Sequence, residues 1–262
     1  MTRVIGIVSG KGGVGKTTFS TNLGIALSNL QKKVLLVDCN VTTPHLAYYL
    51  GSKYHTATIN DVLKGMVDIK YAPTTENGVL FIPASEDMND LIDVNITKLK
   101  HHINKLAEMD DYDFIILDSA PGLGREALAT LQASDEIIFV TTPTIPNMSD
   151  VIRCAEVAKR IGVKNFKIVL NMVRFTPFEV NYEEVRRMFK LPLLGIIPFD
   201  ERVIDSAAKG VPIMWDKPNS QVEEGYMTAA LSLTGFKFKE VKEPSLMDRI
   251  KERFREKFGF LR

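Results

Sequence analysis

The sequence predicts a single doubly wound α/β domain with a mostly parallel sheet, of the phosphate-loop type, extended by a C-terminal amphipathic helix. Three observations carry this. A short apolar run feeds a glycine-rich loop, and a stretch with helical spacing leaves it. Further apolar runs of strand length recur along the chain, several ending on Asp, Asn or Thr, with helical spacings between them. Past Gly235 the chain turns polar and charged before an apolar stripe at helical spacing resumes.

The first strand is Val4-Ile5-Gly6-Ile7-Val8, apolar enough for a buried parallel position. Gly10-Lys11-Gly12-Gly13-Val14-Gly15-Lys16-Thr17-Thr18 then fits G-x-x-x-x-G-K-[ST], the loop whose backbone N–H groups cradle phosphate at the positive end of a helix. Its glycines let the backbone approach a ligand without Cβ clashes. All nine residues, Gly10 to Thr18, are expected to touch ATP or ADP. Lys16 reaches the β/γ-phosphates and the Thr17 hydroxyl ligates Mg²⁺. Phe19, Leu23, Ile25, Ala26, Leu27 and Leu30 supply the apolar face of the helix that follows.

Composition bounds the rest. At 262 residues the chain holds one large core, with ordinary apolar (45%) and charged (25%) fractions. A net charge of +1 gives no whole-molecule field for nucleic acid or membrane, so no specific nucleic-acid partner is expected. Cys39 and Cys154 stand far apart with no C-x-x-C, arguing for two buried hydrophobes over a zinc or iron–sulfur site. No signal peptide and no transmembrane-length run is found, so a cytoplasmic protein is expected.

Taken in order, Lys33 to Asp38 is a second buried strand delivering a carboxylate to the edge where open α/β sheets hold ligands; Asp38 either serves a ligand or closes the strand as a turn residue. Thr42-Thr43-Pro44-His45 starts a helix with Leu46, Tyr48, Tyr49 and Leu50 in the core. His45 and His55 lack partners at metal spacing. Asn60 to Val67 is a short helix closed by Gly65, Val79 to Pro83 a strand, and Ile96 to Met109 a helix with Leu99, Ile103 and Leu106 inward and His101-His102 outward. Phe114 to Leu117 is an apolar run ending in Asp118, a central strand that carries a carboxylate to Mg²⁺. Ser119 to Gly124 behind it is a mobile segment suited to sensing a γ-phosphate. Strands at 136–141 and 166–171 and helices at 151–161, 203–208 and 220–233 complete the domain.

Lys-Gly-Gly-Val-Gly-Lys-Thr-Thr, residues 11–18, resembles the deviant Walker A loop of the MinD/ParA family of ATPases. The resemblance implies that Lys11 reaches across an ATP-bound homodimer to the partner subunit's nucleotide, acting as an arginine finger does. A solvated loop lysine is the plain alternative. It also implies that Asp38 holds a water on Mg²⁺ and that Asp118 joins Thr17 at the metal. Family strands mostly end Asp-x-Asp, the second aspartate polarising the attacking water. Here the run is Asp38-Cys39-Asn40. An amide binds water but takes no proton, so Asn40 at the catalytic position is expected to slow hydrolysis by about 10²–10⁴-fold unless a neighbour compensates. Asp150 matches an acidic position near the dimer or partner surface, with helix capping as the alternative. Asn171 resembles the family's adenine-reading asparagine, or is a turn residue, and Pro198-Phe199 resembles the loop that closes over the base.

Residues 1–235 are thus expected to form the ATPase domain, 236–245 a tether and 246–262 a membrane-targeting helix. Leu246, Met247, Ile250, Phe254, Phe258 and Leu261 follow at spacings of three and four, joined by Phe260, opposite a basic face. Packing in cis and docking in another protein's groove compete with lipid. The MinD branch implies ATP-dependent positioning of cell-division or other machinery at the inner membrane face, with a protein activator or cargo. A ParA-like DNA-partition ATPase and an ATP-locked membrane scaffold are the rivals.

Overall fold

The computed structural model describes residues 1–180, 182–216 and 220–236. Eight strands form its sheet: β1 (Arg3–Val8), β2 (Val34–Asp38), β3 (Thr74–Glu76), β4 (Val79–Ile82), β5 (Phe114–Asp118), β6 (Glu136–Thr141), β7 (Asn165–Val173) and β8 (Leu193–Pro198). Their order is β3-β4-β2-β5-β1-β6-β7-β8. Every pairing is parallel except β3 with β4. The helices are α1 (Lys16–Asn29), α2 (Leu46–Tyr49), α3 (Ile59–Lys64), α4 (Leu99–Glu108), α5 (Arg125–Ala133), α6 (Ile145–Arg160), α7 (Tyr182–Phe189), α8 (Glu201–Ala208), α9 (Ile213–Asp216) and α10 (Gln221–Leu233).

Alternation along the central strands divides the core between the two faces. Ile5, Ile7, Leu36, Ile116, Ile138 and Val140 point to the layer built by α1 and α10. Val4, Leu35, Val37, Ile115 and Leu117 point the other way, toward α3 and α4. Val8, Ile137, Phe139 and Ile168 meet α6 on that second face. The continuous apolar runs therefore follow from burial on both sides, as a parallel sheet requires. Helix α1 is itself enclosed, with Phe19 fully buried and 6.0 Å from the Tyr226 ring on α10. Burying a side chain of that size stabilises the fold by roughly 1.5–3 kcal/mol, which anchors the helix behind the glycine-rich loop.

The structure departs from the sequence reading in several places. Helix α6 begins at Ile145, with Thr144 as its N-cap and Pro146 in the first turn, so Asp150 lies inside the helix and caps nothing. Strand β3 is an antiparallel edge strand beyond β4, too short and polar to show a period. Helix α4 is preceded by a 3₁₀ turn over Ile96–Lys98 instead of starting there. Helices α5 and α7 were not expected, and Tyr48 is 53% exposed rather than core. Capping Thr58 and left-handed Gly65 bound α3 as their residue types suggest. The tether expected at 236–245 (beyond Phe236) and the amphipathic segment 246–262, with Leu246, Met247, Ile250, Phe254, Phe258, Phe260 and Leu261, lie outside the described residues. Among the described residues no helix is long and apolar enough to cross a membrane.

At the end of the sheet opposite the loop, buried Glu136 at the start of the internal strand β6 ties three elements together. It accepts from Arg3 Nε at 2.7 Å and from Lys167, while Arg3 Nη1 donates to the Leu233 carbonyl at the end of α10. Burial alone would raise the Glu136 carboxyl, but the hydrogen bonds from Arg3 and Lys167 outweigh it and hold it below its usual 4.5. A lowered folded-state value means the stabilisation is present above the unfolded value and lost as pH falls through the folded one. Glu136→Gln is expected to cost about 1–3 kcal/mol at pH 7. In urea denaturation the gap between parent and variant should narrow below pH 4.5.

Candidate functional site

The loop leaves β1 at Val8 and enters α1 at Lys16. Gly13 (φ 79°) and Gly15 (φ 83°) hold left-handed backbone, which a Cβ would strain. A Cβ at Gly15 would also collide with Asn171 Nδ2, whereas one at Gly13 would meet nothing within 4 Å. Asn171 comes close because its Nδ2 donates to the Val14 carbonyl at 2.8 Å, bracing the loop from β7. That bond uses one of the two N–H groups of the amide and leaves its Oδ1 out of the contact.

Sheet register supplies the acids. Ile7 pairs with Asp118 across β1 and β5, and Asp38 pairs with Asp118 across β2 and β5, so two carboxylates stand side by side beneath the loop. Asp118 accepts from Thr17 Oγ1 at 2.6 Å and Ser20 Oγ at 2.8 Å, and Lys16 Nζ lies 3.5 Å from its Oδ1. Lys16 is itself buried, 8% exposed. Asp38 takes backbone N–H groups from Asn40 (3.0 Å), His45 (3.1 Å) and Leu46 (3.0 Å), the last two at the start of α2. Burial first, and then the Asp118 charge, push its carboxyl up to about 7 against these N–H groups and Lys16. Two adjacent carboxylates and a threonine hydroxyl are hard oxygen donors of the kind Mg²⁺ takes, and a divalent cation would relieve their repulsion. The donor set fits the ion.

The other expected residues divide. Lys11 is exposed, and its Nζ pairs with Asp150 Oδ2 at 3.4 Å, an ion pair that lacks hydrogen-bond alignment. Arg153 approaches the other Asp150 oxygen at 3.9 Å. Asn40 is buried, and its amide is clamped within its own loop: Nδ2 donates to the Thr43 carbonyl and Thr43 Oγ1 donates to Oδ1 at 3.1 Å. Phe199 follows Pro198 at the end of β8, its N–H donating to Val173, with the Arg174 guanidinium 3.6 Å above its ring. Thr18 lies in the first turn of α1, half-buried.

Three participants escaped the sequence reading. Ser20 was within reach, being one turn beyond Lys16 and Thr17 on the same helix face. Arg174 and Glu126 were not, because only folding sets Arg174 against Phe199 and Glu126 against Thr42. Both cysteines are buried; burial above all pushes the Cys39 thiol well up and that of Cys154 to about 11. Neither presents a thiolate to a metal.

Comparison with known proteins agrees with this geometry. The family profile described as ParA, "NUBPL iron-transfer P-loop NTPase", matches residues 1–234. An uncharacterized ATP-binding protein of Methanocaldococcus jannaschii is 32% identical over 91% of this chain and 90% of its own. The septum site-determining protein MinD of Pyrococcus horikoshii, solved with Mg-ADP, superposes with a TM-score of 0.85 at 32% identity, covering 89% of this chain and 96% of that one. The MinC:MinD cell-division complex of Aquifex aeolicus superposes at 0.83 and 27% identity, covering 92% and 99%.

The loop geometry separates two substitutions. Gly13→Ala should lose only the roughly 1–2 kcal/mol of left-handed strain. Gly15→Ala adds the collision with Asn171 and should lose more, together with at least tenfold in affinity (about 1.4 kcal/mol) for a fluorescent ADP analogue. Urea denaturation and a titration with that analogue check both.

Proposed function

Because this chain belongs to the MinD/ParA family of P-loop NTPases, we propose that it binds Mg-ATP, closes into a homodimer around it, and is recruited to the inner membrane face to position cell-division or other machinery. The observation that carries this reading is the convergence of Lys16, Thr17 and Ser20 on Asp118 beneath a loop whose backbone opens toward phosphate. The β/γ-phosphates lie on the loop N–H groups and on Lys16. Thr17 and Asp118 hold the metal, and Asp38 holds a water of its shell. Mg²⁺, when bound, neutralises charge building on the phosphates. Pro198 and Phe199 cover the base, with Asn171 steadying the loop beneath it.

Lys11 has a second role in this scheme. Lys11 is exposed and its contact to Asp150 is an ion pair without a hydrogen bond, so a partner's triphosphate competes with Asp150 for the ammonium. Residues 246–262 then couple dimerisation to membrane. One amphipathic segment binds lipid marginally, whereas two on a dimer gain about 10²–10⁴-fold in avidity. Hydrolysis separates the subunits and releases the protein, which cycles between cytoplasm and membrane under an activator or cargo protein. An iron–sulfur cargo is not part of this scheme, since both cysteines are buried. The clamped amide of Asn40 favours a second reading, in which turnover is slow and the ATP-bound dimer persists as a membrane scaffold.

Co-sedimentation with anionic vesicles, run beside light scattering, tests the scheme. The parent should dimerise and sediment with ATP and do neither with ADP. Removing residues 246–262 should abolish sedimentation and leave the dimer intact. Lys11→Ala should abolish both; a Lys11→Ala protein that sediments like its parent would overturn the reading.

A further inference from the structure

Hydrolysis of a phosphoanhydride is accelerated by a group that aims the attacking water, and further by one that takes its proton. The acids beneath the loop are engaged elsewhere. Asp118 accepts two hydroxyls and faces Lys16, and Asp38 accepts three backbone N–H groups. Asn40 is neutral, with both of its polar atoms bonded to Thr43.

Beside them opens a cavity of about 580 Å³ between the Asn40–Thr43 loop and the Ala120–Glu126 segment. It abuts the phosphate loop, since Pro121, one of its lining residues, has its Cβ 4.0 Å from where a Cβ at Gly12 would stand. Gly122 N–H donates to the Ser9 carbonyl at 2.9 Å, holding this wall against the loop. Among the described residues lining the cavity, Glu126 is the one carboxylate. It sits in the first turn of α5, half-buried, and the Thr42 hydroxyl donates to its Oε1. That bond ties the loop bearing Asn40 to the helix bearing Glu126 and steers one carboxylate oxygen while leaving Oε2 for water.

We propose that Glu126 is the carboxylate that orients the attacking water and accepts its proton, the work an amide at position 40 cannot do. The water oxygen forms a bond to the γ-phosphorus as one O–H proton passes to Glu126. The bond between the γ-phosphorus and the β,γ-bridging oxygen breaks, and its electron pair leaves with ADP. Glu126 then returns the proton to solvent. Thr42 is the positioning residue that holds it.

The proposal rests on reading the chain as an ATPase, and the experiment separates the two. Single-turnover hydrolysis of Mg-ATP and binding of a fluorescent ATP analogue are measured for the full chain, Glu126→Gln, Asn40→Asp and the double variant. Glu126→Gln should hydrolyse at least about tenfold more slowly with analogue affinity within about twofold of the parent. Asn40→Asp placed in that background should restore hydrolysis, which a merely structural defect would not allow. A Glu126→Gln protein hydrolysing within twofold of the parent overturns the proposal and leaves the ATPase reading standing. Loss of hydrolysis that comes with lost analogue binding and no rescue by Asn40→Asp also overturns it, reducing Glu126 to a structural tie. A parent that binds the analogue but hydrolyses nothing overturns the ATPase reading itself.

Discussion

Asp118 is a nearly inaccessible carboxylate at the end of a central strand, and a charge there is tolerable only with partners around it. Those partners define the site. Lys16, Thr17 and Ser20, spaced by one, three and four residues, lie on one side of the first turns of α1, so meeting Asp118 sets the helix's rotation and depth relative to the sheet. The glycine-rich loop, strung between β1 and that helix, is thereby held above the acid. Asp38 lies beside Asp118 through strand register, and their mutual repulsion raises the Asp38 carboxyl after burial has done most of it. Two crowded acids make a poor apolar core and a good cation site.

The loop is also held from its other side. Asn171 reaches from β7 to the Val14 carbonyl, and Asp150 on α6 stands so close to Gly10 that a Cβ there would strike it. The same Asp150 pairs with Lys11. The two lysines of the loop thus lie in opposite environments. Lys16 is buried and faces Asp118, while Lys11 is 54% exposed in its side chain and faces an acid on the rim. A lysine enclosed with its acid resists separation, and one whose ammonium reaches solvent is open to a stronger anion. That difference suits Lys16 to a fixed role and Lys11 to one that changes with state.

Asn40 shows how one side-chain amide can close a loop on itself. Its amide both donates and accepts, and Thr43 answers both. A carboxylate in its place would lose the bond to the Thr43 carbonyl. The neighbouring Thr42 points across to Glu126 instead. The segment 40–43 therefore bridges the end of β2 and the start of α5, flanking the cavity next to the phosphate loop.

Local chemistry was legible in the amino-acid order alone: the phosphate loop, the runs that became β1, β2, β5 and β6, the capped helix α3, and the expectation that Asp38 and Asp118 sit at strand ends. Each depends on a few neighbouring residues whose period or stereochemistry permits little else. Strand β3, the early start of α6 and the exposure of Tyr48 were not legible, because short or polar stretches take their conformation from what packs on them. Only the tertiary structure decided that Asp38 lies against Asp118, that Asn171 donates to Val14, that Lys11 meets Asp150, and that Glu126 meets Thr42. Those pairs join residues 80, 157, 139 and 84 positions apart. Contacts at such separations are set by sheet order and register, which no local pattern encodes.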